Sequence, residues 1–75
     1  MTNQKSYIKL VKTEQGYEIY AINNEKKTKL SKQQKIIMMR VLKKYTPIKK
    51  ENTYIYPNYN LITLSFLKEK LLSYY

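Results

Sequence analysis

The sequence contains no cysteine, no histidine, no tryptophan and no aspartate, and only one glycine and two prolines. Each absence removes something. Without cysteine there can be no disulfide staple. Without cysteine or histidine the ordinary zinc ligand sets cannot be assembled, so no metal and no cofactor are expected. The commonest general base and the thiol nucleophile are missing as well. A single glycine cannot build a phosphate-cradling loop, and the five glutamates are scattered with no tight acidic pair. A ribonuclease working through Lys, Arg and Tyr is the one catalytic option left, and it is the weaker reading. The chain reads as a non-enzyme.

Long apolar runs are missing too. Nothing approaches the roughly 18 residues of a membrane span. The N-terminus, MTNQKSYIK, lacks the apolar stretch of a secretory signal. Lack of cysteine fits a reducing compartment. These points predict a soluble, cytoplasmic protein with no membrane partner.

What is present is positive charge. Fifteen basic residues face five acidic ones, for a formal net charge of +10. Such a balance favours an anionic partner: nucleic acid, an acidic protein surface or an anionic membrane, the last fitting poorly because the apolar helix stripe is needed for the core. Asn, Ile, Lys and Tyr, all with A/T-rich codons, account for 37 of the 75 residues, so genome composition explains part of the lysine count. It explains the charge less well, because glutamate codons are also A-rich and Glu is scarce. Fourteen of the fifteen cations are lysine. Lysine is a point charge suited to phosphate, whereas arginine is the usual guanine reader, so backbone contact is favoured over base reading.

Seventy-five residues form a single small basic domain, 1–75. A chain this short buries only about 60% of its unfolded surface. Its clearest element is a helix over 31–45, SKQQKIIMMRVLKKY. Ser31 and Gln34 have the spacing of a capping box, and Thr46-Pro47 ends the run. Met38, Val41, Leu42 and Tyr45 share one face, with Lys32, Arg40, Lys43 and Lys44 on the other. Ile36 and Met39 fall among those charges.

Upstream, residues 7–22 read as a β-hairpin turning at Thr13–Gly16, where the lone glycine supplies a positive φ. Ile8 and Leu10 share one hairpin face, and Tyr7, Lys9 and Val11 the other; register leaves open which is buried. Residues 1–5 are polar and expected to fray. After a turn at Asn23-Asn24, a short strand near 27–30 carries lysines suited to an exposed edge or to phosphate contact. Downstream, Lys49-Lys50 read as a basic turn and 53–56 as a further short strand. A last helix spans about 61–75, with Asn60, Thr63 and Ser65 as competing caps. Leu64, Leu67, Leu71 and Tyr74 or Tyr75 recur there at helical spacing. The predicted class is α+β: a small antiparallel sheet of three or four strands, with two helices packed on one face.

Two functional readings follow. The first is non-enzymatic binding of DNA or RNA, mainly through the phosphate backbone. The basic stripe Lys32, Arg40, Lys43, Lys44, Lys49 and Lys50 would hold phosphates. Tyr7, Lys9, Lys12 and Tyr20 would share a sheet face on which bases stack. Small size and A/T-type composition point to a regulator encoded by a virus or mobile element. The second reading is a protein-binding inhibitor or adaptor. It docks an acidic patch of a larger protein, with Ile36 and Met39 as apolar anchors. A homodimer through the same two residues is compatible with either.

Overall fold

Ser6–Thr13 (β1) and Gly16–Asn23 (β2) form the predicted hairpin. Thr13 pairs with Gly16, so only Glu14 and Gln15 lie in the loop. Gly16 has φ +136°, a value that favours glycine. Asn24, at φ 59°, turns the chain into the four-residue strand β3 (Lys26–Lys29). Then follow α1 (Lys32–Leu42), β4 (Ile48–Lys50), β5 (Thr53–Tyr56) and α2 (Tyr59–Leu72). The computed structural model describes residues 6–72; the predicted fraying of 1–5 and the positions of Tyr74 and Tyr75 lie outside them.

The sheet has five strands in the order β3-β2-β1-β5-β4, with every neighbouring pair antiparallel. That is one or two more than predicted. The Lys49-Lys50 segment is itself the extra strand, β4, and the turn lies at Glu51-Asn52, with Glu51 at φ 52°. All three residues of β4 are exposed, so no alternation of buried and exposed side chains marks it. Both edge strands carry lysine, which discourages edge-to-edge association.

Register settles which face is buried. Ile8, Leu10 and Ile19 point to the helix side and form the core with Leu30, Met38, Val41, Leu42, Tyr56 and Ile62. Both helices lie on this side. α1 supplies Met38, Val41 and Leu42, the face its periodicity predicts. Its capping box is formed: Gln34 N–H donates to Ser31 Oγ at 3.3 Å, and Ser31 N–H donates to Gln34 Oε1 at 2.8 Å. The helix ends at Leu42, not at 45. Lys44 and Tyr45 donate to the carbonyls three residues back, so the chain tightens into turns before Pro47 takes effect.

α2 starts at Tyr59, earlier than predicted, and Asn58 takes the capping position: its carbonyl accepts from Ile62 N–H at 2.9 Å. α2 packs inward through Ile62, with Tyr59 and Phe66 beside it. The leucine stripe of Leu64, Leu67 and Leu71 faces outward.

Candidate nucleic-acid interface

With both helices on one side, the other face of the sheet is open, and cross-strand pairing sets out its contents. One row crosses all five strands: Lys29, Tyr20, Lys9, Ile55, Ile48. A second row is Lys27, Ile22, Tyr7. A third is Glu18, Val11, Thr53, Lys50. Tyr7, Lys9 and Tyr20 therefore share one face, as the strand alternation predicts, and all three are half-buried. Ile22 is buried beneath its neighbours on this face although it stands outside the main core.

Tyr20, on β2 beside the β3 edge, is the residue most closely ringed by cations on this surface. Lys29 and Lys9 flank it along the row, two strand spacings or about 10 Å apart. The ammonium of Lys27 lies 4.4 Å from its ring centre and that of Lys9 6.0 Å. The Glu18 carboxylate, the one acid on the face, is held at its margin by Lys35 at 3.4 Å and Lys29 at 3.9 Å. Lys35 also donates to the Tyr17 carbonyl at 2.8 Å, which ties α1 to β2. Lys27 and Lys29 join the candidate site here. Their places follow from β2–β3 register, which composition alone does not give.

The other candidate cations do not form one stripe. Lys32 and Arg40 lie exposed on the outer side of α1, and Lys43 and Lys44 follow at its C-terminal end. Lys49 and Lys50 are adjacent in an edge strand and so point to opposite faces, Lys50 to the open one. Lys12 pairs with Tyr17 on the helix side and does not join Tyr7, Lys9 and Tyr20. Of the two apolar anchors, Ile36 is 51% exposed, but Met39 is half-buried and packs on the core. Met39 therefore belongs to the edge of the core, beside Leu10, Tyr54 and Tyr56, and only Ile36 is presented outward.

Lys12 and Lys49 instead gather around Tyr54, 5.4 and 5.7 Å from its ring centre. Hydrogen bonding from Lys12 is the main influence that holds the Tyr54 phenol below the ordinary tyrosine pKa, and the charges of Lys12 and Lys49 add to it. Burial pushes Tyr56 the other way, above that value. Among the described residues no cluster of His, Cys, Asp or Glu is arranged to hold a metal, and no helix is long and apolar enough to cross a membrane.

No protein-family model matches the chain, and no curated protein or solved structure matches it.

Proposed function

We propose that the protein is a non-enzymatic binder of single-stranded nucleic acid, with the open sheet face as the platform. The observation that carries this reading is Tyr20 set among Lys9, Lys27 and Lys29 on an uncovered sheet. A tyrosine ring offers a π-face to any base, and lysines on either side meet the phosphates of the strand. The stack needs no particular base, which suits a lysine-rich and arginine-poor surface. A regulator acting on transcripts or on displaced strands in a virus or mobile element fits such binding, and so does a cytoplasmic site of action.

The test is a fluorescence titration of labelled single-stranded DNA, single-stranded RNA and duplex at several salt concentrations. Single strands should bind more tightly than duplex. Affinity should fall with salt, with a slope of log K against log salt of about −0.7 per phosphate neutralised. Reversing charge at Lys9 and Lys27 should weaken binding far more than reversing it at Arg40 and Lys43. No binding even at low salt would end this reading.

One observation favours a second reading. Ile36 is exposed on the outer side of α1, the side that also carries Lys32 and Arg40. A protein-binding inhibitor or adaptor would use Ile36 as anchor and the cations to meet an acidic surface. Under that reading Ile36→Asp abolishes capture of the partner, whereas changes on the sheet face leave it intact.

A further inference from the structure

α2 carries two apolar stripes, and only one is used within the chain. Ile62, Tyr59 and Phe66 pack inward. Leu61, Leu64, Leu67, Leu71 and Leu72 face away and are each between 54% and 65% exposed. These leucines leave roughly 500 Å² of apolar surface open on one helix, at the upper end of what a monomeric protein shows. They also account for most of the large apolar side chains exposed among the described residues; Ile36 and Ile48 are the others.

We propose that this stripe is the interface of a homodimer in which α2 pairs antiparallel with α2 of a second copy. Three features select that occupant. The first is area: two such stripes together present about 1,000 Å² of apolar surface, the lower bound for a specific interface. The second is the pattern. Leu61, Leu64, Lys68 and Leu71 follow the 3-4-3 spacing of a helix–helix seam, with Leu67 and Leu72 on its flanks. About a two-fold axis near Phe66, Leu61 meets Leu71 of the second copy and Leu64 meets the Lys68 stem. The stripe is thus complementary to itself, as a two-fold interface requires. The Lys68 ammonium reaches out to water past its methylenes.

The third feature is charge. Two chains of +10 repel each other over most of their surfaces. α2 carries only Lys68, Lys70 and Glu69, a net +1, so it is where two copies approach at least electrostatic cost. The same near-neutrality argues against an anionic membrane, because interfacial helices flank their apolar face with rows of Lys and Arg. The antiparallel arrangement also sets the two helix dipoles head to tail.

The experiment is mass measurement by light scattering on nucleic-acid-free protein from low to high micromolar concentration. The wild type should reach twice the 9.1 kDa chain mass. The Leu64→Glu, Leu71→Glu double variant should stay monomeric with an unchanged far-UV circular dichroism spectrum, since both positions are exposed in the single chain. A wild type that remains monomeric throughout overturns the proposal, and so does a dimer that survives the double variant. Orientation is read from cross-linking, which is clean because the chain has no cysteine. Under mild oxidation, Leu61→Cys and Leu71→Cys proteins should form a disulfide when mixed and not when alone. Self-linking of either variant would show a parallel pair and overturn the antiparallel arrangement. No step uses nucleic acid, so the result stands apart from that for the sheet face.

Discussion

The Lys27 ammonium lies 4.4 Å above the Tyr20 ring, although the residue that pairs with Tyr20 across the ladder is Lys29. The ring thus leans along the diagonal, with one face shielded by a cation that is itself exposed. Such a contact at an exposed site is worth about 0.5–1 kcal/mol. Under the proposed binding, a base that took the place of the ammonium would gain a stack and release Lys27 toward the phosphate beside it. One small movement therefore serves both halves of the proposed binding.

Tyr20→Ala should then weaken single-strand binding by about 1–3 kcal/mol with little change in salt slope. Lys27→Gln should flatten the slope by about 0.7 with a smaller loss of affinity at high salt. Titrations of both variants over the same salt series separate stacking from charge. Equal affinity of Tyr20→Ala and wild type would remove the sheet face from consideration.

Leu42 is 2% exposed between α1 and the sheet. Leu42→Ala should cost about 2–5 kcal/mol, a large share of the stability of so small a domain. Urea unfolding followed by circular dichroism measures it. An unchanged midpoint would mean that α1 faces the other way.

Gly16 poses a purely backbone problem. A Cβ added there meets nothing within 4 Å, yet φ is +136°. Gly16→Val should therefore destabilise through conformation alone, by more than about 1 kcal/mol, and Gly16→Ala by a little less. Similar losses for both would separate backbone strain from side-chain clash, because a clash would grow with size.

Tyr54 and Tyr56 should titrate on opposite sides of the ordinary tyrosine value. Lys12 and Lys49 lower the first, and burial raises the second. In an absorbance titration of phenolate, Tyr54→Phe should delete a component below the ordinary tyrosine value and Tyr56→Phe one above it. A phenol whose pKa is lower in the folded state adds stability above its unfolded value, near 10. That contribution disappears as pH falls through the folded value. The pH-dependent part of the Tyr54→Phe effect should thus appear only in alkaline solution, and Lys12→Gln should bring Tyr54 back toward the ordinary tyrosine value.

Much of this was legible in the residues. The capping box at Ser31 and Gln34, the buried face of Met38, Val41 and Leu42, and the positive φ at Gly16 are local properties written in local spacing. Strand alternation alone was enough to place Tyr7 and Lys9 together. Other features depend on partners far along the chain. β4 is three exposed residues that become a strand only because β5 lies beside them. Lys49 and Lys50 look like one basic patch until pairing sends them to opposite faces. In α2 the periodicity of Leu64, Leu67 and Leu71 was visible, but a second apolar stripe runs through Tyr59, Ile62 and Phe66. With apolar residues on both sides, spacing cannot say which side turns inward; packing against α1 and β1 decides it.

The strand order has a consequence for how the chain assembles. β1 sits at the middle of the sheet, paired on one side with β2 across a two-residue loop and on the other with β5, where Ile8 meets Tyr56. The first pairing closes a short loop. The second joins Val11 to Thr53 and Ile8 to Tyr56, far apart along the chain, and carries a larger entropic cost before any contact offsets it. Residues 6–29, a three-stranded meander, should therefore form before β5 reaches the free edge of β1, an order that φ-values at Ile19 and Tyr56 would test. Until β5 arrives, that edge of β1 is unpaired. Closure of the β1–β5 seam should be the slow step of refolding, whereas in the native state the exposed edge strands β3 and β4 should exchange their amides before it.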